Sequence, residues 1–315
     1  MTKPLISILI PVYRVERYIE QCLRSLLSNT IINDCEVILV DDCSPDKSME
    51  VVIRVLKDFP AMKDKVLLHS HDVNRGSAAA RSTGLLQAQG RYIICVDSDD
   101  WVEPDYLERL YNEAERTGAD VVFCDLFQAR AHSTTVIQEG KGSGDFLTQL
   151  LREEIHGWLH VKLIRRALLV ENGITWVEGL DMCEDVLIMA KVFRHAKKVV
   201  HLSLPLYHYR CTNDNSLTQR LNTQKILQLQ GVVRELETYL PTEYDDSLKS
   251  FKSKTKVWIL KSANWLSTEL LSLYNSDLLS RCRYNSLASR LFFFLCERNW
   301  YGLVRLILRL KGRKD

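Results

Sequence analysis

Five apolar runs of four to six residues, each closed by turn residues, constrain this chain more than any other feature. Leu5–Ile10 ends at Pro11, after which Val15, Ile19, Cys22, Leu23, Leu26 and Leu27 recur with helical period. Glu36–Val40 reads as a second buried strand, followed by "DDCSPDKS" and a helix through Met49–Leu56. Val66–His69, Tyr92–Val96 and Val121–Cys124 continue the series. Gly90 and Gly118 close the intervening helices, and Pro104 suits a helix first turn. Strands alternating with helices at this spacing predict βαβ units, hence an α/β fold with a mostly parallel sheet covered on both faces.

Such sheets bind ligands beyond the carboxyl ends of their strands. The polar clusters fall there: Pro11–Tyr13, Asp41–Ser44 and Asp97–Asp100. The last is the most pointed, since "RYIICVDSDDWVEPDY" concentrates three aspartates at the end of a buried strand. If Asp97 and Asp99 lie on extended backbone they share a side and can face one cation. Hard oxygen ligands select Mg2+ or Mn2+, of which Mg2+ is usually shared with substrate phosphates. Asp100 reads as a cap for the helix that follows. Neither GxGxxG nor GxxxxGK[ST] is present, so no glycine cradle binds the phosphates.

Composition removes other classes. A net charge of +2 does not suggest a nucleic-acid binder. Nine cysteines, odd in number and without CxxC spacing, read as reduced thiols of a cytoplasmic protein. The N-terminal apolar stretch is too short for a signal peptide, and no run of about 18 apolar residues spans a membrane.

"SILIPVYRVERYIEQCLRSLL", "EVILVDDCSPDKS", "NRGSAAARSTGL" and "YIICVDSDDWVEPDYLE" resemble, in order and spacing, the signatures of glycosyltransferase family 2. The likeness covers about residues 5–125 and returns at "EDVLIMAKVFRHAKKVVHLSLPLYHYR". It implies a GT-A fold, a Rossmann-like sheet flanked by helices, and inverting transfer from a nucleotide sugar, most often a UDP-sugar. By that resemblance Pro11 and Tyr13 line the base pocket, and Asp41 or Asp42 hydrogen-bonds the uracil or ribose. Arg81 lies near the nucleotide, Asp97 approaches the ribose and Asp99 holds the metal. Two positions depart from the pattern: Cys43 replaces the glycine of "DDGS", and "ARST" replaces "ARNxG".

Inverting transfer needs a base for the acceptor hydroxyl. The resemblance points to Asp185 of "MCEDVLIMAKVF", with Glu184 as the fallback. His208 of "PLYHYR" is a candidate third metal ligand or diphosphate contact; a structural role beside two tyrosines competes. Trp158 and Lys162 match, with one residue of offset, acceptor or diphosphate positions. Trp158 and Trp176 stack on sugars or belong to the core.

The organisation expected is a catalytic domain over 1–215, split into a nucleotide-sugar half (1–125) and an acceptor half (126–215), with 129–150 a polar loop. A helical C-terminal region, 216–315, follows. Residues 281–315 carry nine Lys/Arg against two acids. Leu303, Leu306, Ile307 and Leu310 fall on one stripe, which suits an anionic membrane surface as well as packing on the protein. The expected function is extension of a surface polysaccharide on a saccharide or lipid-linked acceptor. A non-catalytic nucleotide-sugar binder and a nucleotidyltransferase of related fold are the alternatives.

Overall fold

The computed structural model describes residues 3–140, 144–213, 221–262 and 268–311, with side chains to residue 307. Lys141–Ser143 of the expected polar loop, the expected boundary at 215 and the last four residues lie outside them, as do the side chains of Arg309 and Leu310.

The chain divides into two compact units. The first comprises Met1–Phe146 and His156–Ser216; the second comprises Leu147–Ile155 and Leu217–Asp315, so that nine residues of the expected acceptor half belong with the second.

The first unit is built on β1 (Ile6–Val12), α1 (Ile19–Leu27), β2 (Glu36–Asp41), α2 (Ser48–Leu56), β3 (Val66–Ser70), α3 (Ser77–Gln87) and β4 (Tyr92–Cys95). After it come β5 (Trp101–Val102), α4 (Tyr106–Thr117), β6 (Val121–Arg130) and β7 (Ser133–Ile137). Then follow α5 (Phe146–Leu151), which crosses into the second unit, β8 (Lys162–Arg165), α6 (Arg166–Glu171), α7 (Glu184–His195) and β9 (Val199–Arg210). The sheet order is β3-β2-β1-β4-β8-β6-β9-β5, with β7 beside β6. β1 pairs in parallel with both β2 and β4, whereas β8 is antiparallel to β4 and β6. The nucleotide half is thus parallel and the remainder mixed.

β1 is buried along nearly its whole length, as a strand covered on both faces must be. α1 buries the five residues that its period selects, Ile19, Cys22, Leu23, Leu26 and Leu27. At roughly 1.5–3 kcal/mol per large side chain, that face suffices to seat the helix.

Two local expectations change, and a third position, Cys43, is decided. Residues 133–137 pair with β6, so the expected polar loop is partly a hairpin. Pro104 does not open α4; β5 pairs with β9 just before it, and the helix begins after Asp105. Cys43 does occupy the left-handed region, with φ 57°. There its Cβ crowds the following carbonyl at a cost of about 1–2 kcal/mol. Part of that is offset by glycine's freer unfolded chain, so Cys43→Gly should stabilise by about 0.5–1 kcal/mol in urea titrations.

The second unit is helical: part of α5, then α8 (Thr223–Tyr239), α9 (Asp245–Ser262), α10 (Thr268–Ser272), α11 (Leu287–Glu297) and α12 (Tyr301–Lys311). No helix among the described residues is long and apolar enough to cross a membrane.

Candidate active site

The loop after β4 does not run extended. The Asp100 amide donates to the Asp97 carbonyl at 3.1 Å, closing a tight turn. Alternation therefore fails as a guide, and positions i and i+3 converge instead. Among the described residues, Asp97, Asp100 and His160 bring one ligand atom each to within 4.8 Å of one another. Asp99 is not in this group; its carboxylate accepts from the Asn213 side chain at 2.7 Å. Nor is Asp100 a helix cap. It is buried and accepts from the Tyr207 hydroxyl at 2.8 Å and the Arg210 amide at 2.7 Å.

Arg81 connects this turn to α7. Its guanidinium donates to Asp97 Oδ1 at 2.8 Å and to Glu184 Oε1 at 2.7 Å. Burial opposes the Asp97 charge, but the His160 hydrogen bond and Arg81 outweigh it and hold that carboxyl well below the usual range. Burial raises Glu184 to about 7, against the pull of Arg81. Burial also raises Asp185, which among the described residues accepts only from the adjacent Val186 amide. Glu184 is therefore engaged and Asp185 is uncommitted.

Two further rungs join Arg75, just before α3, and Ala78 in its first turn to the segment before α7. Arg75 forms a bidentate pair with Glu178, and Asp181 accepts from the Ala78 amide at 2.9 Å. Gly76, at φ 90°, has Asp181 so close that a Cβ would stand 2.3 Å from its carboxylate. Neither Glu178 nor Asp181 carries a motif that would have singled it out.

His160 is the main residue that sequence reasoning missed. Its Nδ1 lies 3.1 Å from Asp97 Oδ2, and its ring stacks on Tyr207 with centroids 4.4 Å apart. Its Nε2 is buried and has no partner among the described residues. The one signal was the offset Trp158–Lys162 spacing, which marks a remodelled loop.

Lys162 explains that loop and corrects its own assignment. It is fully buried, and its ammonium donates to the carbonyls of His156 and Trp158 at 2.8 and 2.9 Å, with Glu139 at 3.7 Å. Its ammonium holds the loop up from beneath. Above it Trp158 stacks on His156 at 3.7 Å. Gly157 meets the first turn of α7 so closely that a Cβ would sit 2.9 Å from the Val186 nitrogen. Gly157→Ala should therefore cost about 1–3 kcal/mol and displace the loop, read as a lower urea midpoint and a weaker His160–Asp97 NMR coupling.

His208 faces away from the acidic turn. Adjacent strand residues point to opposite faces, and Tyr207 takes the turn side. His208 instead bonds Glu103 at 2.6 Å and stacks between Trp101 and Phe127. Trp176 is a core residue, 5% exposed.

At the outer strand ends, Tyr13 is exposed with Arg14 over its ring at 5.3 Å, and Pro11 is half-buried. Asp41 accepts from the Ser44 amide at 2.8 Å. Asp42 is buried and saturated by His71, Asn74 and the amides of Arg75 and Gly76. Its carboxylate anchors the 71–76 loop; of the pair, Asp41 is the less buried.

The family model "Glycosyl transferase family 2" matches residues 7–169, just over half of the chain. The chain belongs to glycosyltransferase family 2. The uncharacterized glycosyltransferase EpsJ of Bacillus subtilis (strain 168) is 34% identical to this family 2 chain over 227 residues, 69% of this chain and 63% of EpsJ. The poly(ribitol-phosphate) beta-glucosyltransferase of Bacillus spizizenii is 30% identical over 66% of this chain and 32% of its own length. The matches thus span less than two thirds of these relatives. Residues 1–349 of S. aureus TarS in complex with UDP-GlcNAc superpose with a TM-score of 0.77 at 19% identity, covering 98% of this chain and 92% of that one. That likeness establishes the GT-A-type fold.

Proposed function

We propose that this chain is an inverting, metal-dependent glycosyltransferase. It moves a sugar from a UDP-sugar to a saccharide or lipid-linked saccharide of a surface polysaccharide, at the inner face of the cell membrane. The observation that carries this reading is the Arg81 bridge, which joins Asp97 at the fourth strand end to Glu184 beside Asp185. A donor-binding turn and a base-bearing helix become one site. The UDP-GlcNAc bound by TarS and the poly(ribitol-phosphate) named for the B. spizizenii relative support the donor and acceptor classes.

The residues present fit a hard divalent cation: carboxylates and one imidazole converge, and the buried His160 Nε2 lacks a partner among the described residues. Asp97 and His160 would hold Mn2+ or Mg2+, with Asp99 or Asp100 supplying a further carboxylate. When bound, the ion offsets charge growing on the leaving diphosphate. Pro11 and Tyr13 border the base pocket, and Asp41 receives the uracil or ribose. Asp185 takes the acceptor hydroxyl proton as that oxygen bonds to the anomeric carbon and the carbon–diphosphate bond breaks on the opposite side. Its raised pKa makes it a stronger base than an exposed aspartate.

Calorimetric titration with a panel of nucleoside diphosphate sugars, with and without Mn2+, tests this, followed by donor hydrolysis. Micromolar binding of a UDP-sugar with slow hydrolysis is expected. Binding without hydrolysis or transfer would make the chain a binding protein, and no binding at all would overturn the reading.

A further inference from the structure

Among the described residues, α11 and α12 each carry two apolar rows, one covered and one exposed. Leu295, Cys296 and Val304 are buried with Leu260 and Leu271, and Tyr301 and Ile307 pack against them. Ile307 therefore leaves the stripe that the sequence assigned to it. The second rows face out. Leu287, Leu291 and Phe294, spaced i, i+4 and i+7 on α11, are 39–83% exposed; Trp300, Leu303 and Leu306 are 43–55% exposed.

The sequence that carries these rows is strongly basic. From 281 to 311 the chain holds seven Lys/Arg and a single acid, Glu297. That acid is engaged by the Ser280 amide and hydroxyl. The Arg298 guanidinium lies over the Phe294 ring at 5.4 Å, so one side chain joins the cationic and apolar parts of the face. A second copy docked on the same face would set arginines against arginines, since a twofold contact presents one patch to itself. A surface that is both apolar at depth and negative at its boundary satisfies both halves of the pattern.

We infer that the α11–α12 face docks on an anionic lipid bilayer, with Leu287, Leu291, Phe294, Leu303 and Leu306 entering the acyl boundary and Arg298 at the headgroups. This deepens the membrane setting proposed above and rests on it, by naming the surface and the lipid charge.

The test is sedimentation of the full chain with sucrose-loaded vesicles of phosphatidylglycerol and phosphatidylcholine, or of phosphatidylcholine alone. Binding to the anionic vesicles that weakens with salt is expected. A triple L287Q/L291Q/F294Q variant should bind at least tenfold less, and R298Q roughly fivefold less. Circular dichroism and UDP-sugar binding, measured on the same samples, should be unchanged. Absence of sedimentation with anionic vesicles, or equal sedimentation of the triple variant, overturns the inference. So does a dimer in light scattering that the triple variant dissolves while vesicles bind neither form. A chain that binds UDP-sugar but not vesicles leaves the catalytic reading standing, and one that binds vesicles but not UDP-sugar does the reverse.

Discussion

Asp185→Asn is expected to leave UDP-sugar affinity within about twofold while slowing transfer by about 10²–10⁴-fold, the range spanned by a positioned general base. Asn preserves shape and can still accept from the Val186 amide, which among the described residues is the contact Asp185 makes. The fold should therefore survive. Burial raises the Asp185 pKa, and the base works only when deprotonated. Activity should fall as pH drops through that raised value, nearer neutrality than an exposed aspartate would allow. The variant should lose this acidic limb. Glu184→Gln separates the two acids: it should disturb stability and the Arg81 bridge but keep the limb. Lost donor binding in Asp185→Asn would assign that residue a structural role instead.

Arg81→Met is expected to destabilise the protein by about 3–5 kcal/mol, because removing one partner strands buried charge on the others. Asp97 and Glu184 both lose their guanidinium. The measurement is the urea midpoint at unchanged slope. The pH dependence carries the sign. Asp97 lies below its unfolded value of about 3.9, so its contribution is complete above that pH and fades as pH falls through the lowered folded value. Glu184 is raised to about 7, so its burial costs stability as pH rises from about 4.5 towards 7. Without Arg81 both effects should worsen on the alkaline side. The variant should lose stability more steeply than wild type between pH 5 and 8, and its UDP-sugar affinity should drop because the acidic turn is no longer oriented. A variant as stable as wild type would show that the bridge contributes nothing net.

How far the site was legible can be read from particular residues. Asp97 stood out as a carboxylate at a strand end, Arg81 and Glu184–Asp185 through the family resemblance, and the structure brings Arg81, Asp97 and Glu184 together. His208 is a ligand type with a structural alternative, and strand parity sets it against Glu103, away from the acidic turn. Lys162 carried a resemblance to a binding position, yet its ammonium is consumed by two backbone carbonyls. His160 had no motif of its own and became part of the site because the loop on Lys162 carries it to Asp97.

By itself the sequence determined the order of strands and helices and the edge at which the polar clusters gather. Those follow from hydrophobic period and turn residues, which act over a few positions and are written locally. Only the tertiary structure decided which carboxylates face which cations. The Arg81–Glu184 and Tyr207–Asp100 contacts join residues separated by 103 and 107 positions. Such pairings depend on sheet order, on the tight turn at 97–100 and on the side of β9 that Tyr207 occupies, none of which a local pattern encodes.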